Sequence, residues 1–434
     1  MPNANALTVP ARRLPAAALS SIAREGLLMT FAHRAIPIAL LAVLIDSIGF
    51  GIVLPVLPTL IVELTGQSLA DAARTGGLLL IVFAVAHFFA GPIVGNLGDQ
   101  YGRRPVLLAA MLIFAADYAL MAFAPTLGWL FAGRLIAGIA GAVYGPANAV
   151  LADVTPPERR GATFGLMGAA FGIGFIIGPA IGGLLGSIGP RVPFMAAAAL
   201  AAFNAAWIYF ALPETLSPAN RRKFEWKRAN PLGAFAPLMG LKGALPLLVV
   251  VFIWQLAHQI YPATWAFFAE IAHGWSPREI GWSLAASGVT MALAQIFVTG
   301  RAIAALGEVR TVVIGLSVGA LVYLGYAFAT QGWQVYLLIA CGALQALAFP
   351  SLNALLSRMV DASNQGALQG GMASLASIAA ILGPLSLTQT LATGAEHGFP
   401  GAAFLLASVL TLIAVGIVLV FLARHHPPAH APLA

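Results

Sequence analysis

Twelve apolar runs follow one another along this chain. Each is about 20 residues long, the length that crosses a hydrocarbon core as a helix. They lie at about 36–62, 76–97, 104–124, 128–150, 162–186, 192–212, 244–269, 279–300, 308–329, 333–357, 364–392 and 399–423. Lipid offers no hydrogen-bond partners, so a spanning segment satisfies its own backbone, and runs of this length do so as α-helices. The expected fold is therefore an all-α integral membrane protein with twelve transmembrane helices. The chain is 60% hydrophobic and 9% charged, against about 25% charged in a soluble domain. No polar stretch is long enough for a soluble catalytic domain, and no clustered nucleophile–base or metal-ligand pattern is present. Both facts argue against an enzyme.

The runs come in two sets of six. The loop Gly95-Asn96-Leu97-Gly98-Asp99-Gln100-Tyr101-Gly102-Arg103-Arg104-Pro105 is a short charged turn between two of them. Its glycines Gly95 and Gly102 return 205 positions later as Gly300 and Gly307, in a copy that has lost the aspartate. The same offset relates Asn148 to Asn353, Gly161 to Gly366, Gly165 to Gly370, and Gly178-Pro179 to Gly383-Pro384. One register held over that length indicates two homologous six-helix halves in tandem. Duplicated transporters have this form, with a central site between the halves.

Charge sets the expected orientation. Arg12, Arg13, Arg24, Arg34, Arg103, Arg104, Arg159, Arg160, Arg221, Arg222, Lys223, Lys227, Arg228, Lys242, Arg301, Arg310, Arg358 and Arg424 fall on one side; Arg74, Arg191 and Arg278 fall on the other; Arg134 lies within a span. By the positive-inside rule the rich side is cytoplasmic, with both termini on it. The net charge of +7 is then topological, and no nucleic-acid partner is expected. The chain divides into a cytoplasmic N-terminal segment (1–33), the first half (34–212), a cytoplasmic linker (213–242), the second half (243–423) and a cytoplasmic tail (424–434). The linker's basic residues face the anionic leaflet, either as a solvated segment or as a contact for membrane lipids. Cys341 is alone, so no disulfide framework or metal site is expected. Residues 1–33 lack the apolar core and cleavage site of a signal peptide. The tail carries no lipidation motif.

Three ionisable side chains sit deep in spans: Asp46, Asp117 and Arg134. Such groups cost about 2.5–3.5 kcal/mol on insertion scales and mark function by default. Asp46 is about ten residues into span 1, roughly 15 Å deep. It reads as a proton- or substrate-coupling carboxyl, or as a polar packing residue bonded to a neighbouring helix. Its span is interrupted by Gly49, Gly51, Pro55 and Pro58. Asp117 and Arg134 have similar depth, so an ion pair between them is geometrically possible, static or functional. Gly95, Asp99, Gly102, Arg103 and Arg104 look like a conformational latch, with the Asp99 carboxylate able to approach the N-terminus of a neighbouring helix; the arginines also serve as topology determinants. Gly174, Gly178, Pro179, Gly182 and Gly183 bare one face of span 5 for close helix approach. The substrate pocket is expected from Asn148, Gln255, His258, Gln259, Trp265, Gln295, Gln345 and Asn353, a few polar groups on an apolar, aromatic wall.

Together these motifs resemble the major facilitator superfamily. The Gly95–Arg104 loop resembles its signature between spans 2 and 3. Gly174-Phe175-Ile176-Ile177-Gly178-Pro179-Ala180-Ile181-Gly182-Gly183 resembles the span-5 signature of its drug/proton antiporters, and Arg134 in Gly133-Arg134-Leu135 resembles their span-4 arginine. Asp46-Ser47-Ile48-Gly49-Phe50-Gly51 with Pro55-Val56-Leu57-Pro58, Asp117-Tyr118, and Gln365-Gly366-Ala367-Leu368-Gln369-Gly370 resemble the tetracycline/proton antiporter branch. Two departures stand out. Gln100 occupies a usually basic position, and span 9 reads Gly315-Leu316-Ser317-Val318-Gly319-Ala320, without the aspartate of that branch.

The resemblance implies alternating access, proton coupling through Asp46, Asp117 and Arg134, and a span-5 seam that limits leakage. The resulting expectation is a proton-driven exporter of a small amphipathic, drug-like substrate in a bacterial inner membrane. No cofactor is expected, and no ATP, since a nucleotide-binding Gly-Lys-Ser/Thr loop is missing. An uptake facilitator or symporter for a sugar, organic acid or metabolite remains open, as does a membrane receptor or lipid-handling protein on a transporter fold.

Overall fold

A computed structural model describes residues 33–140, 143–226, 230, 242–361 and 364–424. The expected N-terminal segment and tail, and Lys227 and Arg228 of the linker, lie outside the described residues, Arg424 excepted. Among the described residues there are helices and no strand. In order the α-helices are α1 (Ala35–Val53), α2 (Leu57–Thr65), α3 (Leu69–Tyr101), α4 (Arg103–Ala122), α5 (Leu127–Ala140), α6 (Tyr144–Val154), α7 (Arg160–Gly186), α8 (Val192–Ala211), α9 (Leu245–His258), α10 (Ile260–His273), α11 (Pro277–Ala294), α12 (Gly300–Phe328), α13 (Gly332–Gly342), α14 (Ala348–Arg358), α15 (Gln365–Glu396) and α16 (Ala402–Arg424).

These make twelve spans. By length and hydropathy 11 helical stretches qualify, the longest being Pro277–Phe328 with 52 residues. At 1.5 Å per residue such a helix would reach about 78 Å, more than twice a core of about 30 Å. It doubles back at Gly307, where φ is 77° and ψ 162°. Gly102, the matching residue of the first repeat, has φ 108° and ψ 163°. A side chain at such a φ is strained, which is why this turn has glycine in both copies.

Spans 1, 7 and 10 are each broken. Span 1 passes from α1 to α2 through a 3-10 turn, Leu54–Val56. Span 7 breaks at Gln259, between α9 and α10. Span 10 breaks at the 3-10 turn Ala343–Leu347. Those of spans 1 and 7 fall at matching repeat positions, as discontinuous helices do around a transporter's central site. Gly49 and Gly51 do not interrupt span 1, contrary to expectation. α1 continues through both, and the break comes at Pro55, whose ring removes a backbone donor.

Two apolar cores show how the halves meet. One fills the first half and continues into the second through Trp265, Phe268, Tyr326 and Phe404. The other belongs only to the second half, on the side of the basic loops, around Leu247, Val251, Leu316, Leu352 and Val418. Near the basic side, Gly161, Gly165, Gly168 and Gly172 of span 5 and Gly366 and Gly370 of span 11 face open space. Toward the opposite face the halves are packed together, with Gly76 against the Phe267 ring, Gly77 against Thr388 and Gly183 against Gly281.

Candidate functional site

The predicted Asp117–Arg134 ion pair is formed. Arg134 Nη2 on α5 donates to Asp117 Oδ2 on α4. The Asp117 side chain is fully enclosed. Gly133 allows this approach, because a side chain there would collide with Asp117 Oδ1 and Leu120. The guanidinium also lies 5.7 Å from the centre of the Phe83 ring. Asp117 Oδ1 and Arg134 Nε are buried without a hydrogen bond. The pair thus keeps hydrogen-bonding capacity in a place where an unmet polar atom is costly.

Asp46 is half-buried on α1, and among the described residues it has no hydrogen bond or ion pair. Its neighbour Ser47 makes the interhelical bond instead, donating to Phe171 O at 2.7 Å. Tyr118 joins the two acidic sites. It follows Asp117 on α4, and a methyl group at Gly49, three residues after Asp46, would sit 3.6 Å from its Cε2. Tyr118 was visible in the sequence only as part of a motif; its position between the acids depends on helix packing.

The signature loop is a network inside the first half. Asp99 Oδ1 accepts from Arg103 Nη1 at 2.6 Å, and Arg103 Nε donates to Asp153 Oδ2 at 3.2 Å. The carboxylate at the helix N-terminus is Glu214, not Asp99: Glu214 Oε1 and Oε2 accept from the backbone N–H of Arg103 and Arg104 at 2.9 and 3.2 Å. The expectation for Asp99 is corrected here. Its one-turn spacing from Arg103 favours the local ion pair, while Glu214 comes from the linker, far along the chain. Arg104 Nη2 donates to Tyr209 O. The linker is also stitched to α3, through Asn96 Nδ2 to Glu225 O (2.8 Å) and Arg222 N–H to Asp99 O (3.0 Å). In the second half Arg358 pairs with Glu308 at 2.6 Å. These positions are 205 residues beyond Asp153 and Arg103, so the repeat keeps the ion pair and exchanges its charges.

The span-5 glycines lie against backbone. Methyl groups at Gly174 and Gly178 would come 2.7 Å from Leu44 O and Ile48 O, and one at Gly182 would come 2.7 Å from Ile52 C. All three sites face span 1 of the same half. Gly183 faces the other half, where a methyl group would meet Pro277 O at 2.6 Å and Gly281 Cα at 3.1 Å, and Gly186 meets Pro277 there too. The glycine-rich helix thus serves two seams, one with span 1 inside the first half and one with α11 across the halves, and α7 continues through Pro179 as one helix.

In the second half, His258 stacks on Trp254 with ring centres 4.9 Å apart and meets Tyr261 edge-on at 5.3 Å. Trp254 also stacks on Phe349 at 5.3 Å. Gln345 Nε2 donates to the Tyr261 hydroxyl at 2.9 Å. Asn353 Oδ1 accepts from Gln369 Nε2 at 2.8 Å. Gln255 and Asn148 are half-buried, and Gln259 packs its Cβ against Gly383. Two expected pocket residues do not belong with this group. Trp265 is 2% exposed among Phe268, Tyr326 and Phe404, with Nε1 donating to Ser283 Oγ at 2.9 Å. A ring enclosed on its faces with its one donor satisfied is core. Gln295 is exposed on the π-turn Gln295–Thr299, where its Oε1 accepts from Thr299 at 3.4 Å. Phe349 and Tyr261 take their place, brought in by the breaks in spans 7 and 10.

Twelve spans in two repeats, broken around a centre that holds a buried acid–arginine pair, define a secondary-transporter architecture. The Major Facilitator Superfamily family model matches residues 39–271 and 247–434, and the chain belongs to that family. It is therefore a transporter and not an enzyme. Within the family it is similar to the tetracycline resistance protein, class C, of Escherichia coli: 40% identical over 381 residues, covering 88% of this chain and 95% of that protein. The class B protein of the same organism is 35% identical over 80% of this chain and 86% of its own length. Among solved structures, the nucleoside transporter NupG superposes with a TM-score of 0.73 at 15% identity, over 91% of this chain and all of that one. A bacterial homologue of the human lysosomal transporter Spinster, in an inward-facing and unoccupied conformation, also gives 0.73 at 15% identity, over 92% of this chain and all of its own. Both likenesses concern the fold.

Proposed function

We propose that this chain is a drug/proton antiporter that exports an amphipathic compound of the tetracycline type by alternating access. The observation that carries the reading is its 40% identity to the class C tetracycline resistance protein across 95% of that protein. Asp46, Asp117 and Arg134 take the proton-coupling role: one acid is free to change partners and the other is held by a cation. Substrate meets the stacked wall of Trp254, His258, Tyr261 and Phe349, with Gln255, Gln345, Asn353 and Asn148 as polar groups. Asp99, Arg103 and Arg104 act on the conformational cycle through the cytoplasmic rim, together with Asp153 and Glu214. The protein sits in a bacterial inner membrane with its basic loops cytoplasmic, touches anionic lipid through Arg221, Arg222 and Lys223, and uses no ATP.

Purified protein in liposomes with an imposed pH gradient tests this reading. Gradient-driven uptake of tetracycline into inside-acidic vesicles is expected. Span 9 has no acid between Gly315 and Ala320, so a panel of dyes and other antibiotics belongs beside tetracycline. Sugar or organic-acid flux without drug uptake would favour a facilitator. Tight ligand binding with no flux would favour a receptor.

A further inference from the structure

The face opposite the basic loops is closed by an arginine shared between the two halves. Arg74, near the start of α3, reaches across to the last residue of α15. Its Nη1 and Nη2 donate to Glu396 Oε1 and Oε2 at 2.6 and 2.9 Å, and its Nε donates to Gln389 Oε1 at 3.3 Å. The fork geometry matches both carboxylate oxygens, the strong form of such a pair. Nη1 also donates to Asp71 Oδ1, one turn away on its own helix, at 2.8 Å. Asp71 is fixed in turn by Ser68, whose hydroxyl caps α3 by accepting from the Asp71 N–H at 3.2 Å. Below the ion pair the halves touch through bare backbone: Gly76 lies under the Phe267 ring and Gly77 against Thr388.

We propose that Arg74 is the exchangeable bolt of the gate on this face. When the halves are closed it bridges to Glu396; when they part it falls back on Asp71, so its charge keeps a partner in both states. The two carboxylates thus pull on one guanidinium in opposite senses. Glu396 favours the closed face and Asp71 lowers the cost of opening it. The counterparts of these residues in the repeat do not form a second bridge. Position 279, the counterpart of Arg74, is Glu279, which accepts from Ser276 in a capping box, and position 191, the counterpart of Glu396, is Arg191, which pairs with Glu63. Among the described residues the bridge between halves is thus made by Arg74 and Glu396 and not repeated by their counterparts.

This inference rests on the alternating-access reading above, and its test contains neither drug nor pH gradient. Spin labels at Thr126 and Thr330, exposed on loops of this face in the first and second halves, report its opening as a distance distribution. The measurement is made on the full chain in lipid nanodiscs, on a Cys341→Ser background. Glu396→Gln is expected to raise the ratio of long to short distances about two- to fivefold, the range of an exposed ion pair. Asp71→Asn is expected to lower that ratio by a similar factor, and Asp71→Glu to restore it. Shifts of the same sign for both carboxylates, or no shift for either, would overturn the exchange. A single short distance in all variants would overturn alternating access and the gate with it. Opposite shifts in a protein that fails to move drug would leave the gate standing and discard only the export reading.

Discussion

Asp46 and Asp117 are two acids within the spans treated differently by their surroundings. Asp117 is held by Arg134, while Asp46 has no polar partner among the described residues. Asp46→Asn keeps the size of the side chain but cannot ionise. The variant is expected to bind drug as before, to lose accumulation driven by the pH gradient, and to keep exchange down the drug gradient. Uphill transport with an unchanged pH dependence would remove Asp46 from the coupling role. For the ion pair, removing one partner leaves a buried charge uncompensated, at a cost of about 3–5 kcal/mol. Asp117→Asn alone is therefore expected to lower the melting temperature in detergent. Adding Arg134→Gln should recover most of that loss without restoring proton-driven transport. If the double variant transports normally, the pair is a packing device only. The depth of these residues and their pairing were legible in the sequence, because burial of charge in a span is costly enough to stand out. Tyr118, between the acids, and Phe349, on the aromatic wall, were not. An aromatic residue in an apolar run carries no signal of its own until the breaks in the helices decide which way it faces.

Helix packing supplies a sharp contrast among glycines of one helix. Gly178 faces the backbone of span 1, where a methyl group would lie 2.7 Å from Ile48 O and 2.8 Å from Gly51 Cα. Gly165, earlier on the same helix, faces open space. Gly178→Ala is expected to destabilise by about 1–3 kcal/mol, the usual cost of overpacking. Gly165→Ala should be neutral or stabilise by up to about 1 kcal/mol, the gain in helix propensity. Thermal melts of the two variants side by side check this; equal effects would show that the seam can relax. At the start of α4, Glu214→Ala removes a carboxylate that accepts two helix N–H groups. It is expected to cost about 0.5–2 kcal/mol, as loss of an N-cap does, and again melting is the measurement. The sequence pointed to the glycine face without saying which helices it meets, and it pointed to Asp99 where Glu214 does the capping. In both cases the spacing within a segment was readable and the identity of the partner segment was not.

At the scale of the whole molecule, orientation is the open prediction. Cysteines placed at Arg222 and Arg424 on a Cys341-free background should escape a membrane-impermeant reagent applied to intact cells. Labelling at either would reverse the topology that the basic loops imply. Length, apolarity and the 205-residue register determined twelve spans, two halves and the hairpin glycines at 102 and 307, because lipid leaves a chain no other way to satisfy its backbone. What closes and what opens was decided by the tertiary structure alone. The ion pair Arg74–Glu396 joins residues more than 300 positions apart, and the exchanged charges at 103 and 308, and at 153 and 358, have meaning only once each pair is brought together. Local patterning sets where a helix begins, turns and ends. It does not say which helix from the other half will lie beside it, since that choice depends on side-chain fit and charge between segments with no relation along the chain.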